Sequence, residues 1–322
     1  MEGPLISEPL KVMLLGSNGF LGSGLAFHMS TDDSLSLARV STSGGAPIQI
    51  ESYSYSAVAR VVDLLEPDIV INCVGVVGHK EVESDPLSAD KVNVQFPKIL
   101  AQLTRLRDIT LLHFSTDSVY SGIPEEAPFS ESSPTQPFSL YGVQKLASEA
   151  AVLDENPRAV VMRINFFGWS QSGAKGILDH FISHAISGTQ PVGFSDYFAT
   201  SLYVGELSRA VVAASRADIS GVFNVGSPDS HSKLRFGQEV FFQLGLDAKQ
   251  VIRGNPSIWG VEGVTSRDLS MSSQLITSTL DIAFLTQLQG IDLALNDARE
   301  FLCFLRGSGH EVRLKALEGF GR

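Results

Sequence analysis

Cysteine is scarce in this chain: Cys73 and Cys303 are the only two in 322 residues, and neither has metal-ligand spacing. Cys73 lies in an apolar run, so a buried free thiol is expected and a disulfide framework is unsupported. Runs of lysine or arginine are missing, and the net charge is −11. Nucleic acid and anionic membrane are therefore poor candidates for the main partner. An anionic substrate stays open, because local arginines and helix N-termini bind phosphates within an acidic protein. No apolar stretch reaches the length of a membrane span, and Met1-Glu2-Gly3-Pro4 lacks the blocks of a signal peptide. A reducing, cytoplasmic location is the expectation. His79, His113, His180 and His184 show no convergent pattern, and the His180/His184 pair has no acidic or thiol partner in register, so no metal is expected. Neither a Gly-x-Ser-x-Gly elbow nor a Walker loop occurs.

What is present describes a well-packed globular chain, 43% hydrophobic and 18% charged. Residues 11 to 165 alternate strand-like and helix-like segments. Strands are expected at 11–15, 37–42, 47–51, 68–74, 109–115 and 159–164, and helices at 19–30, 57–65, 86–106 and 139–153. This alternation predicts a doubly wound parallel sheet, a Rossmann fold, followed by a smaller mixed α/β part. The expected division is a dinucleotide-binding domain over 1–165, rejoined by parts of 201–225, and a mainly substrate-binding domain over 166–322. In the second half, helices are expected at 176–186, 203–215, 234–244 and 292–305, the first followed by the segment 190–193, and a short strand at 221–225. Ser41 to Gly45 and Phe194 to Thr200 read as loops, and Gly307 to Arg322 as a frayed tail.

The chemistry concentrates at the carboxyl ends of the expected strands. Gly16-Ser17-Asn18-Gly19-Phe20-Leu21-Gly22 follows the first strand and opens the first helix. Glycine lets such a turn approach a pyrophosphate at the helix N-terminus, and this spacing points to the short-chain dehydrogenase branch of dinucleotide binders. The second strand ends in Arg39-Val40-Ser41-Thr42-Ser43 without an acid, which leans toward NADPH, with NADH still open. Asn72-Cys73-Val74-Gly75 offers small residues beside the cofactor, and Asn93 a side chain able to tie neighbouring backbone together. Tyr141 and Lys145 are four residues apart and so share one helix face. The lysine charge is expected to lower the phenol pKa, and a hydroxyl of Ser115-Thr116-Asp117 to hold a carbonyl oxygen against that phenol. Hydride chemistry at a carbon–oxygen bond is the implied reaction.

These strings, with Val92-Asn93, Asp117-Ser118-Val119-Tyr120-Ser121-Gly122, Pro128-Phe129-Ser130-Glu131 and Tyr141-Gly142-x-x-Lys145-Leu146-Ala147-Ser148-Glu149, resemble the extended short-chain dehydrogenase/reductases. Within them, the dTDP-4-dehydrorhamnose reductase group is the most similar. The resemblance spans roughly residues 11 to 305 and implies NADPH-dependent reduction at C4 of a nucleotide-linked 4-keto-6-deoxyhexose. It implies that Thr116 orients the keto oxygen, Tyr141 gives the proton, and Lys145 binds the nicotinamide ribose and tunes the tyrosine. It further implies a cofactor set of Gly16, Ser17, Asn18, Gly19, Phe20, Leu21, Ser41, Cys73, Val74, Gly75, Asn93, Ser115, Tyr141, Lys145 and Asn165. Thr116, Asp117, Ser118 and Phe166 would face the sugar, and a homodimer is the assembly allowed for. Three strings depart from the family on the sugar side, at Ser118, at Asn165-Phe166 and at Asp196 to Tyr203. Two other readings stay open: an NAD-retaining sugar-nucleotide epimerase or dehydratase, and a non-catalytic dinucleotide-binding regulatory subunit.

Overall fold

Apolar side chains alternate between the two faces of a seven-stranded parallel sheet, and helices cover both faces. The computed structural model describes residues 8–42, 46–254 and 267–307. Residues 1–7, residues 43–45 of the expected loop, the His79 side chain and the expected tail beyond Gly307 lie outside the described residues. In chain order the first half runs β1 (Leu10–Leu15), α1 (Phe20–Met29), β2 (Leu35–Ser41), β3 (Ile48–Gln49), α2 (Tyr55–Leu65) and β4 (Ile69–Asn72). It continues with α3 (His79–Ser84), α4 (Pro86–Asp90), α5 (Phe96–Leu106), β5 (Thr110–Thr116), α6 (Leu140–Glu155) and β6 (Val160–Ile164). Next come β7 (Phe166–Phe167), α7 (Gly176–Ser187), β8 (Val192–Phe194), β9 (Tyr197–Ala199), β10 (Leu202–Tyr203), α8 (Val204–Arg216) and β11 (Gly221–Val225). The described chain closes with β12 (His231–Ser232), α9 (Lys233–Gln243), β13 (Ile252–Gly254), β14 (Arg267–Asp268), α10 (Gln274–Leu280) and α11 (Gln287–Gly307).

Strand order in the main sheet is β11-β6-β5-β4-β1-β2-β3. The direction of winding reverses between β1 and β4, which opens a crevice at the carboxyl ends of the strands. Val12, Leu14, Ile69, Ile71 and Met162 turn to one face, against Leu25, Leu207 and Phe301. Their neighbours Met13, Leu15, Val70 and Val161 turn to the other, against Val58, Val62, Phe96 and Leu100. A third, smaller cluster, Val119, Tyr120, Phe129, Leu269 and Met271, packs beneath the segment that follows β5.

Two expected elements differ from those observed. The single helix over 86–106 is α4 and α5 joined by a five-residue π-turn, Lys91–Gln95. Pro97 explains the break, since it has no N–H to reach the carbonyl of Asn93 four residues back. The expected loop 194–200 contains β9, which pairs antiparallel with β12 and parallel with β14. Neither α3 nor α10 was expected, and α3 carries one apolar residue, Val82, too few for a periodic signal. No helix among the described residues is long and apolar enough to cross a membrane.

Candidate active site

The crevice begins at the glycine turn after β1. Gly16 has φ +76°, and a Cβ there would lie 3.0 Å from the carbonyl carbon of Cys73 and from the amide of Val74. Glycine is thus required both by the backbone and by the end of β4. The Gly16 and Ser17 amides donate to the Val40 carbonyl, 2.9 and 3.2 Å, which draws the turn onto β2. Gly19 is the N-cap of α1, and no side chain caps that helix. The first-turn amides of Phe20 and Leu21 therefore face the crevice unclaimed by a cap, as an anion site demands. Ser41 is buried at the end of β2, and Asn72 accepts the Val74 amide at 3.1 Å, holding Cys73, Val74 and Gly75 beside the turn. Cys73 is free and half-buried, and burial pushes its thiol pKa up.

Arg39 does not face this crevice. Its guanidinium stands 5.4 Å from the ring centroid of Phe304 on α11. Residue Arg39 pairs in register with Leu14, whose side chain belongs to the α1–α11 face of the sheet. Cross-strand partners point the same way, so strand geometry removes Arg39 from the ribose end of β2. The leaning toward NADPH drawn from that arginine thus loses one of its two supports, and the missing acid remains.

Across the crevice, β5 delivers Thr116 and α6 delivers Tyr141 and Lys145. The Ser139 side chain caps α6 by accepting the Gly142 amide at 3.1 Å. Gly142 has a steric reason to follow the tyrosine: a Cβ there would lie 2.2 Å from the Ser118 carbonyl oxygen. This close approach sets the phenol against Thr116, with which it hydrogen-bonds. Burial and the negative charge of Asp117 raise the Tyr141 pKa, and the Thr116 bond offsets them in part. The phenol is therefore protonated at neutral pH. Lys145 is not among the charges that shift it, contrary to the expectation drawn from their spacing.

The Lys145 ammonium turns to a different neighbour. Its Nζ lies 3.4 Å from Nε2 of His113, a residue of β5 that the sequence did not single out. The Asn72 amide donates to His113 Nδ1 at 3.0 Å, since its own oxygen already takes the Val74 amide. His113 Nε2–H then faces the Ser148 hydroxyl at 3.0 Å, and that hydroxyl donates to the Lys145 carbonyl at 2.8 Å. This chain fixes one neutral tautomer. Burial and the lysine charge both hold the imidazole well below the usual histidine range. Lys145 itself is lowered to about 8 by burial, with the charge of Glu149 working the other way.

One turn further along α6, Glu149 forms a buried ion pair with Arg163 of β6 at 2.7 Å, and it also accepts the Ser115 hydroxyl. Arg163 reaches on to Tyr120 at 2.8 Å, and Tyr120 donates to Asn224 of β11 at 2.8 Å. Four elements are thereby locked in register behind the phenol. On the opposite side of α6, Gln144 accepts from Asn93 at 2.9 Å and donates to the Pro86 carbonyl at 3.0 Å. Asn93, set in the π-turn, exchanges two hydrogen bonds with the Val76 backbone.

The expected sugar side has a different make-up. Asp117 accepts from Thr116 at 3.0 Å, Ser118 at 3.3 Å and Asn165 at 2.5 Å, and burial raises its pKa. Ser201 donates to Asn165 at 2.6 Å. The rings of Phe20 and Phe166 are 4.8 Å apart, joining the glycine turn to this cluster. Tyr197, from the departing string, comes to the same place, as do Lys233 and Arg267, which no motif announces. The Lys233 ammonium is 4.1 Å from the Tyr197 ring centroid, and the Arg267 guanidinium 3.7 Å from that of Phe138. Among the described residues no three His, Cys, Asp or Glu side chains gather as a metal set.

A family model described as the RmlD substrate binding domain matches residues 10–298. A probable low-salt glycan biosynthesis reductase, Agl14, of Haloferax volcanii is 32% identical over 200 residues, covering 59% of this chain and 65% of that protein. A dTDP-4-dehydrorhamnose reductase of Mycolicibacterium smegmatis is 26% identical over 246 residues, 75% of this chain and 71% of that protein. In each case the match stops well short of the relative's full length, and in the first it spans less than two thirds. Among solved structures, dTDP-4-dehydrorhamnose reductase of Bacillus anthracis in complex with NADP superposes with TM-score 0.80 at 17% identity, covering 90% of this chain and 99% of that one. UDP-glucose 4-epimerase of Thermotoga maritima superposes with TM-score 0.78 at 18% identity, covering 91% and 100%. Structural likeness at these identities speaks for the fold alone.

Proposed function

The chain belongs to the RmlD substrate-binding-domain family of sugar-nucleotide reductases, and from that premise we propose that it reduces the C4 keto group of a nucleotide-linked 4-keto-6-deoxyhexose with NADPH. One observation carries the reading: a half-buried Tyr141, protonated at neutral pH and hydrogen-bonded to Thr116 at the carboxyl end of β5. Gly16 to Leu21, Ser41, Cys73 to Gly75, Asn93, Ser115, Lys145 and Asn165 would hold the dinucleotide. Their fit rests on the uncapped α1 N-terminus and on a turn that tolerates no Cβ at Gly16. NADPH, when bound, supplies the hydride.

The protein's own part is to place the oxygen and to manage its proton. Thr116 positions the keto oxygen beside the phenol, and Tyr141 gives its proton as negative charge develops there. A raised phenol pKa suits this direction, because the acid must hold its proton until charge appears. Lys145 places a cation one turn from the phenol, beside the Asn72–His113–Ser148 chain. Asp117, Ser118 and Phe166 are assigned to the sugar. In this reading residues 1–165, rejoined by parts of 201–225, carry the cofactor, and 166–322 mainly the substrate. A homodimer and a cytoplasmic location belong to the same proposal, the second in keeping with two free thiols.

The test is NADPH oxidation against dTDP-, GDP- and UDP-linked 4-keto-6-deoxy sugars. Turnover on at least one is expected. A protein that binds NADPH normally and reduces none of them would overturn the reading.

A further inference from the structure

His113 stands in the middle of β5, and Asn72 on β4 is its register partner. Side chains paired in this way leave the sheet on the same face. On α6, Lys145 and Ser148 are three residues apart and meet that face together at the imidazole. All four side chains are buried, so each hydrogen among them needs an acceptor within the protein.

A backbone amide fixes the direction of every bond in the group. The Val74 N–H can only donate, so the Asn72 atom that meets it at 3.1 Å is the oxygen. The Asn72 NH₂ group is then what faces His113 Nδ1 at 3.0 Å, which makes Nδ1 an acceptor and puts the ring proton on Nε2. Ser148 agrees with this assignment. Its hydroxyl gives its own hydrogen to the Lys145 carbonyl at 2.8 Å and offers a lone pair to Nε2–H at 3.0 Å. A second ring proton would set Nδ1–H against the Asn72 NH₂, so the imidazole stays neutral, as its lowered pKa also requires.

The 3.4 Å contact between Lys145 Nζ and His113 Nε2 therefore sets an ammonium against an N–H, donor against donor. Among the described residues, His113 is the one hydrogen-bonding group within reach of Nζ. A neutral amine could accept there, whereas the cation cannot donate. Few other charges bear on the contact. Glu149, on the same helix, favours the cation but is held by Arg163 of β6 at 2.7 Å. Burial keeps the Cys73 thiol at the end of β4 neutral, and the charge of Asp117, beyond β5, acts on the Tyr141 phenol.

We propose that His113 is a positioning residue for Lys145: the Nε2–H that Asn72 imposes on it denies the lysine an acceptor on the strand side, turns the ammonium hydrogens toward the crevice and eases loss of the proton. The histidine thereby sets the alkaline limit of the site. This deepens the reductase reading and rests on it only for what the cation does in turnover. The proton assignment and the lysine's hold on its proton can be measured without substrate.

NMR on the intact protein reads both parts. With isotope-labelled histidine, wild-type His113 is expected as the neutral Nε2–H tautomer throughout the range in which Lys145 titrates. An Nδ1–H tautomer or an imidazolium overturns the proposal outright. With lysine labelled at Cε, the resonance missing from Lys145→Arg belongs to Lys145, and its midpoint is expected near pH 8. His113→Asn keeps an acceptor for the Asn72 NH₂ and removes the N–H that confronts Nζ. The Lys145 midpoint should rise in that variant by about one pH unit, a tenfold firmer hold on the proton. Asn72→Asp should move the ring proton to Nδ1, free Nε2 to accept from the ammonium and raise the midpoint as well. An unchanged midpoint in either folded variant overturns the proposal, as does a rise in Asn72→Asp without the change of tautomer. On a reduced keto sugar, the alkaline limb of kcat should follow the midpoint in each variant. Should the midpoints move as expected while the wild type reduces no keto sugar, the reductase reading falls and the role of His113 stands.

Discussion

The two sides of the crevice are built by opposite means. On the sheet side, Gly16, Thr116 and Tyr141 stand on or directly beside strands of six and seven residues and a helix of sixteen. Their positions are over-determined by a ladder of parallel pairings and by the Glu149–Arg163–Tyr120–Asn224 network. On the other side, Tyr197, Lys233 and Arg267 stand on or against strands of two or three residues. Rigid scaffolding would fix the proposed hydride and proton chemistry, whereas short strands would let the proposed substrate wall change without disturbing it. A TM-score of 0.80 to a reductase and 0.78 to an epimerase is the same lesson at the level of the fold.

The sharpest break of this contrast is Tyr141→Phe. The phenyl ring keeps the packing and loses the proton, so turnover should fall by about 10²- to 10⁴-fold with NADPH affinity retained. Stopped-flow NADPH oxidation and cofactor titration would check it; near-normal turnover would mean that another acid serves.

Stability should divide along the same line. Glu149→Gln strands the Arg163 charge inside the protein and is expected to cost about 3–5 kcal/mol in urea unfolding. On the substrate side, His231→Ala breaks only the partly exposed pair with Asp229, at 2.9 Å, and should cost under about 1 kcal/mol. Equal costs would show that the short-strand half is as tightly determined as the sheet.

This division also governs how much the sequence could disclose. Continuous β-branched runs such as Ile69–Val70–Ile71 and the glycine turn made the sheet, its order of elements and the Thr116/Tyr141/Lys145 gathering legible, because each is a local pattern with a long-range consequence. His113 was passed over because its role needs Asn72 and Ser148, 41 and 35 residues away. Gln144 is similar: it lies within the quoted Tyr-Gly-x-x-Lys string, yet its partner Asn93 sits on a π-turn that periodicity cannot foresee. Tyr197 fell in a string noted only for its departure from the family. Lys233 had no pattern at all, since its place over Tyr197 depends on the pairing of β12 with β9. Spacing alone also overstated one link, for the turn that places Lys145 below Tyr141 brings its ammonium to His113.

The pH response follows from that same lysine. Its pKa in the folded protein, about 8, is below the unfolded value of about 10.4. Below pH 8 both states hold the proton, and the burial penalty is carried in full. Between roughly pH 8 and 10.4 the unfolded chain binds more protons than the folded one, so this group's contribution to stability improves as pH rises. Function runs the other way, because the site needs the cation: turnover should decline above about pH 8. Lys145→Met should therefore be inactive yet more stable near pH 7, by an amount of the order of 2–3 kcal/mol. Thermal unfolding across pH 6 to 10, wild type against variant, reads the difference directly; a destabilised Lys145→Met would contradict it.

The smallest expected effect tests the boundary of the crevice itself. Arg39 belongs to the sheet side in sequence and, by its register with Leu14, to the α11 face in space. If it read the ribose phosphate, Arg39→Met would shift the ratio of NADPH to NADH affinity by an order of magnitude or more, as loss of a charged phosphate contact does. The contact with Phe304 leads to the opposite outcome: an unchanged cofactor ratio and a loss in stability of at least about 0.5–1 kcal/mol, the scale of a cation–π contact. Cofactor preference would then rest on what surrounds the end of β2, the buried Ser41 and the Thr42 hydroxyl, 3.2 Å from that of Tyr53. Small hydroxyls there leave room for a phosphate where an acid would repel it, so Ser41→Asp should lower NADPH affinity more than any change at Arg39.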